Sequence, residues 1–539
     1  MKIQSVSPIS EAASEQTQST RSSDPADARR PAPRPACTPL LADLALERGR
    51  PMRYGGFRQK VPSQQSRVAP HDLAYRGQSA AAASGDVCGA IEARLGALII
   101  DRDSLNEVDD RSEKEGASTQ AAQYMTDREG NRYRLKCNAD RPNVTFHEVF
   151  AAQMLNVMGF SGVPAARFVS DYTDKEDRSA GEVWIASPQV EGFTDLGPFL
   201  VGSGKQYVSE NQKTAYQQHL DAYHAAQGRA RQILSGEGPA AQLMKGYRKG
   251  GVSELDETQH AALQPLRDEY RAGLQAQERM LALLPPQFHD ALLRAFYTSE
   301  VVGNWDFLNH DRANTGFSIQ GGMVRSHTVD FGNSGPIGFG GKTKPASIAT
   351  ARQPARKDDP YLRATTYPHE TLSMADVETR AVSRTYGAVG QIPRSAVSAH
   401  ILAPAIVQER ERNSVDEPID TAPPQALEVA WHLKSLPSVL VRQFAAAFFD
   451  KGSNHADPAI RALFSPQTTG FANSEALAEE YEARVKDIVD RAQKGGQLRR
   501  WVTRNPDLAA EISQAVRELT SAKLDHEGRV VRDGFKKIP

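Results

Sequence analysis

The clearest alternation of apolar and polar positions lies at residues 132–137. There Tyr133, Leu135 and Cys137 share one face of a strand, and Arg132, Arg134 and Lys136 share the other. Residues 123–126 read as its partner, joined through the five-residue turn 127–131, so the pattern predicts a β-hairpin. Pro142 and Asn143 open a predicted helix that runs to Gly159, with Asn143 as N-cap and Gly159 as C-cap. On it Phe146, Val149, Phe150 and Val157 form one apolar face, yet Glu148 shares the opposite side with Ala151, Ala152 and Leu155. Apolar surface on both sides predicts a helix covered on both sides. Residues 91–100 are an amphipathic helix or strand, and 163–170 and 183–187 read as further strands, the last running into Gln189, Val190, Glu191 and Gly192.

Beyond residue 205 the period lengthens to that of helices. Residues 214–234 and 261–284 predict a polar helical hairpin, stopped by Pro285 and Pro286. A helix at 288–302 follows. Then 317–319 and 323–324 flank Gln320, Gly321 and Gly322 as a second hairpin, whose return strand reaches Val329 and Asp330. Residues 374–538 are mostly helical, and no internal repeat is visible. Strands and helices in this order give an α+β fold.

Composition changes the picture chiefly at the N-terminus. Residues 10–23 are small and polar, and Pro25, Pro31, Pro33, Pro35 and Pro39 follow closely, so residues 1–85 are expected to be disordered. The 65 basic and 66 acidic residues leave a formal charge of -1, which points to neither a nucleic-acid partner nor a membrane surface. No apolar run is long enough for a transmembrane segment, and no Sec-type signal peptide follows Met1. Three distant cysteines, Cys37, Cys88 and Cys137, make neither a disulfide framework nor a metal motif. His289, His310 and His327 lack zinc spacing, and residues 201–206 lack the first glycine and the Ser/Thr of a P-loop.

The candidate chemistry lies in carboxylates and one lysine. Glu148 on a doubly covered helix needs a partner, because an unpaired buried charge is costly. Lys136 on the preceding strand is the nearest cation. Further on, Gly303, Asn304, Trp305 and Asp306 follow the 288–302 helix, Asn314 comes eight residues after Asp306, and Asp330 ends the second hairpin. An acceptor-orienting carboxylate, an amide and a metal-bridging carboxylate are what Mg²⁺-dependent phosphoryl transfer asks of a protein. In that scheme Asp306 orients or deprotonates the acceptor hydroxyl, while Asn314 and Asp330 hold the metal; Asp311 as the base and Asn309 as the metal ligand are equally open. Residues 332–357 carry Lys342, Lys344, Arg352, Arg356 and Lys357 with no acidic residue, a loop suited to an anionic substrate.

These motifs, Tyr133-Arg134-Leu135-Lys136, Glu148, Gly303-Asn304-Trp305-Asp306, Asn314 and Asp330-Phe331-Gly332, resemble the divergent kinase fold of phosphatidylinositol 3/4-kinases, HipA-like kinases and actin-fragmin kinase. The resemblance spans about residues 116–341 and departs in one respect: the family spacing of about five residues from aspartate to asparagine is eight here. It implies a two-lobed protein-kinase-like core with a helical insert, ATP and Mg²⁺ as cofactors, and Lys136 and Glu148 as the pair that orients the triphosphate. It implies further that Ser118 and Thr119 lie in a short phosphate-binding turn and that Gln189 and Val190 meet the adenine.

The Ser/Pro-rich leader is similar to that of bacterial type III secreted effectors. The expected organisation is a secretion leader at 1–85, an N-lobe at 86–200, a helical insert at 201–284, the catalytic part of a C-lobe at 285–360 and a helical region at 361–539. The resemblance implies synthesis in the bacterial cytoplasm, non-Sec export and action in a host cell on a protein or an inositol lipid. It also implies a secretion chaperone for the leader. A catalytically inactive scaffold and a nucleotidyl transferase are the competing readings of the same fold.

Overall fold

A computed structural model describes residues 98–108, 123–138, 141–171, 183–248, 257–304, 313–332, 334–335 and 422–521, together with residues 91, 95, 96 and 307. All of these belong to one contact unit, residues 39–539. The leader, the turn with Ser118 and Thr119, the loop carrying Asp306, Asn309 and Asp311, and the basic loop from 336 onward lie outside the described residues.

Six strands form a mixed sheet: β1 (Ile99–Asp101), β2 (Asn106–Glu107), β3 (Gln123–Thr126), β4 (Arg132–Cys137), β5 (Arg167–Ser170) and β6 (Trp184–Pro188). Their order is β1-β5-β6-β4-β3-β2, parallel only between β1 and β5. The β3–β4 hairpin forms as the alternation predicts. Asp127 holds its turn by accepting the backbone N–H groups of Glu129 and Asn131, each at 2.9 Å, and Gly130 supplies a φ of 83°.

The sheet has two covered faces. Tyr133, Leu135, Val169 and Ala186 join Leu105 and Met125 in a small cluster on one face. On the other, Phe168 and Ile185 enter the main core with helix α1 (Pro142–Val157). Lys136 pairs with Ile185 in register, so it lies on the α1 side. The helix opens at Pro142 as expected, but its N-cap is Arg141, two residues before Asn143. The Asn143 side chain sits inside the first turn and accepts from the Val144 N–H at 2.9 Å. Its C-terminus is closed by Gly159 at φ 85°.

Nearly every residue of α1 is buried. The sheet covers one side, and the C-terminal helices cover the other. These are α8 (Pro424–Ser435), α9 (Leu440–Ser453), α10 (Pro458–Leu463), α11 (Pro466–Thr469), α12 (Ser474–Gln493), α13 (Gln497–Arg504) and α14 (Pro506–Ser521), numbered after the six helices that follow α1. Between the two parts run β7 (Thr194–Asp195), α2 (Leu196–Val201), the antiparallel pair α3 (Lys213–Ser235) and α6 (Gln264–Ala282) with the short α4 (Pro239–Arg248) and α5 (Glu257–Ala262), and then α7 (Pro286–Val301). The α3–α6 pair forms the helical hairpin expected at 214–234 and 261–284.

A second sheet, β7-β8-β9, contains the hairpin β8 (Thr315–Gln320) and β9 (Met323–Thr328), turning at Gly321 and Gly322 with φ of 58° and 81°. Gly316 lets β7 approach: a Cβ there would overlap the Thr194 carbonyl and stand 2.7 Å from Asp195 Cα. Among the described residues no helix is long and apolar enough to cross a membrane.

Candidate functional site

Strand β4 carries Lys136 toward α1, and α1 carries Glu148 toward β4. Their charged atoms meet at 2.6 Å, with Glu148 almost fully enclosed. The same ammonium lies 3.0 Å from Asp330 Oδ2, just past the end of β9. Two consecutive elements and the end of a hairpin far along the chain thus put one cation between two carboxylates. Because the β8–β9 register ends with Thr315 opposite Thr328, Asn314 falls across from Val329, whose N–H donates to its carbonyl at 3.0 Å. Asn314 and Asp330 therefore leave the hairpin at the same end.

Asp330 is held from several sides. Its Oδ1 accepts the Gly332 N–H at 2.9 Å, and its backbone carbonyl accepts the Asn304 side-chain amide at 2.8 Å. Asn304 is 1% exposed, and Gly303 turns the chain into it with a φ of 64°. The α7 end is tied to β9 by Ser299 and Thr328, whose hydroxyls lie 3.1 Å apart. Asn304 is quoted in the sequence motif, but only the fold gives it a role: it positions Asp330. Gly332 is needed for space, since a Cβ would lie 2.8 Å from Val144 Cγ1 and 3.3 Å from both Asp330 Oδ1 and Glu148 Oε2.

The electrostatics separate the two carboxylates. Burial pushes the Glu148 pKa up to about 7; the Lys136 charge pulls it down and the nearby Asp330 charge raises it again. Enclosure also opposes ionisation of Asp330, but Lys136 and the Gly332 N–H outweigh it and hold that group below the ordinary carboxylate value. Burial works against the Lys136 ammonium, and Asp330 and Glu148 together overcome it, raising its pKa. One cation shared by two acids leaves the more open acid ionised and the enclosed one near neutrality.

A stability consequence follows from Glu148. Its folded pKa, about 7, lies above the ordinary 4.5, so the folded chain binds the extra proton between these values. Stability from this group therefore falls as pH rises through that window and levels off above it. Thermal melts across the window should show wild type losing stability relative to Glu148→Gln. A constant difference would mean that Glu148 is ionised throughout.

Two further charged groups act on the same region: Arg134, which the strand alternation already set beside Lys136, and Asp195. Arg134 lies on the Lys136 side of β4, and its charge acts on Glu148, Asp330 and Asp195. Asp195, at the β7–α2 junction, is pushed up to about 6 by burial and drawn back by Arg134. No spacing rule links positions 134 and 195, so sequence reading had no signal for it. Two of the backbone groups expected to meet an adenine are already used: the Gln189 N–H donates to Arg132 O at 2.8 Å, and the Val190 carbonyl accepts from Phe193 at 3.2 Å.

The donor set fits a hard divalent cation. Asp330 has a side chain 37% exposed, and each of its oxygens has one protein partner, leaving lone pairs for a further ligand. Glu148 Oε2 is buried with no hydrogen-bond donor. Among the described residues no cluster of three or more His, Cys, Asp and Glu is present, so metal binding here would rest on Asp330 with amide and ligand oxygens. Comparison with protein-family models, curated proteins and solved structures gave no match.

Proposed function

We propose that this protein is an ATP- and Mg²⁺-dependent phosphotransferase with a divergent, two-lobed kinase-like core. The observation that carries the reading is the single lysine bonded at once to a helix glutamate at 2.6 Å and to Asp330 at 3.0 Å. That combination is how kinases aim an ammonium at nucleotide phosphates beside a metal-binding aspartate. Connectivity supports it: the lysine strand is followed by the glutamate helix, then by β5 and β6, with β6 lying between β5 and the lysine strand. The chain leaves that sheet through residues 189–193 toward the hairpin that ends in Asp330.

In this reading Lys136 binds phosphate oxygens and Glu148 holds the lysine in place. Arg134 adds positive charge to the same wall. Asp330 and Asn314, with Asn309 as the alternative amide, would hold Mg²⁺, which neutralises charge on the phosphates when bound. Asp306 or Asp311 would orient the acceptor hydroxyl. The acceptor is a protein hydroxyl or an inositol lipid, drawn by the basic loop at 332–357. The Ser/Pro-rich leader supports delivery by a type III-like route into a host cell, with a chaperone on that leader.

The test is calorimetric titration of the full chain with ATP and Mg²⁺, followed by mass spectrometry of the incubated protein. Binding that requires both, with a gain of one phosphoryl mass, is the expected outcome. A nucleotide-sized adduct would replace phosphoryl transfer by nucleotidyl transfer. Absence of binding would leave the catalytically inactive scaffold.

A further inference from the structure

The C-terminal helices are packed directly behind the site. Phe146 and Phe150, the residues flanking Glu148 on α1, stack on each other and enter a wall of rings from beyond residue 440. Phe146 meets Phe448, Phe449 and Phe464 at 5.7, 5.8 and 5.3 Å between centroids, and Phe150 meets Phe444 and Tyr481 at 5.3 and 5.1 Å. Between them His147 bonds through Nε2 to the Thr469 carbonyl at 2.9 Å. Nearby, Ser170 on β5 donates to Asp457, the cap of α10, at 2.8 Å.

The segment after Asp330 reaches the same wall. Phe331 and Ser334 are buried, and Gly335 donates its N–H to the Val302 carbonyl at 2.6 Å. Gly335 has a φ of 59°. A Cβ there would overlap the Tyr481 hydroxyl on α12 and stand 3.3 Å from His147 Nδ1 on α1. Only a glycine passes between these two side chains.

We infer that the C-terminal helices are the positioning device of the site: α9 to α12 press the Glu148 helix against Lys136, and Tyr481 and His147 together fix the chain that carries Asp330. Both acids that hold Lys136 are thereby referenced to one rigid wall. Residues 331, 332, 334 and 335 are held by packing and by the Gly335 hydrogen bond to Val302. Tyr481, His147, Phe448 and Gly335 are positioning residues that touch no substrate. What the positioned site does rests on the phosphotransferase reading, but the positioning itself does not.

The experiment reads Lys136 directly. The full chain is acylated with a soluble amine reagent and labelling is followed by mass spectrometry, with Lys486, whose side chain is 76% exposed, as the internal reference. In wild type Lys136 should label far more slowly than Lys486. Gly335→Ala should raise Lys136 labelling and weaken ATP·Mg²⁺ binding by roughly tenfold each, within the range for coupling through packed side chains, with Lys486 unchanged. Adding Tyr481→Phe, which removes the overlapping hydroxyl, should recover part of both. Phe448→Leu, which thins the wall without touching the Asp330 segment, serves if Gly335→Ala does not fold, and should move both readouts in the same direction. Variants that melt cooperatively while Lys136 labelling stays within about twofold of wild type would overturn the inference, that being below the smallest coupling of this kind. If wild type binds no ATP, the phosphotransferase reading falls, and the labelling still decides this one.

Discussion

Lys136→Met is expected to remove nucleotide binding and phosphoryl transfer together while leaving a folded protein of lower stability. The lysine is the one cation within ion-pair distance of both Glu148 and Asp330 among the described residues, so no neighbour replaces its contact with phosphate oxygens. Loss of one such stabilising donor lowers the transfer rate by about 10²–10³-fold. The cost to the fold is moderated by protonation. Without the ammonium, Glu148, already at about 7 in its presence, moves further up and is neutral at physiological pH. The loss is therefore about 3 kcal/mol, the low end for breaking a buried pair. A transfer assay paired with denaturant melts checks both parts. Transfer retained by a folded Lys136→Met protein would remove Lys136 from the site.

Asp330→Asn should separate the two quantities. The amide keeps the shape of the carboxylate, and its oxygen still accepts the Gly332 N–H, so the local turn survives. The charge that pushes Glu148 upward is gone, and Lys136 and Glu148 are left as a simple ion pair. The Lys136 contact that holds Asp330 below the ordinary carboxylate value is lost as well, so stability at neutral pH should fall modestly below wild type. Activity should fall by about a thousandfold, because several kcal/mol of charge stabilisation around the phosphates is lost with the metal-binding carboxylate. Nucleotide affinity measured with and without Mg²⁺ should converge in this variant. Metal dependence equal to that of wild type would place the cation elsewhere.

The two variants also bear on the choice between enzyme and scaffold. A scaffold would feel both Lys136→Met and Asp330→Asn through stability alone. An enzyme is sensitive to both, in different measures.

Local pattern carried much of this fold. The period-two alternation of residues 132–137 marked β4 and set Lys136 on the side opposite Leu135, and the glycine turn at 321–322 marked the second hairpin. Glu148 among alanines and leucine required a covered helix and a cation, and the preceding strand held one. Hydrogen-bonding geometry and the cost of a buried charge act over a few residues, so they are legible in order of sequence. Helix ends were less sharp: Arg141, not Asn143, caps α1, because Pro142 supplies the first helical turn.

Packing supplied the rest. That α1 must be covered on both faces is written in its residues; that Phe448, Phe464 and Tyr481, some three hundred positions away, do the covering is not. Asn304 beneath Asp330, the Arg134 charge acting on Asp195, and Gly335 between His147 and Tyr481 have no periodicity or spacing that announces them. Short-range periodicity records which face of an element avoids water. Which distant surface meets that face is settled by shape and volume once the chain is compact, and those belong to the assembled core rather than to any stretch of residues.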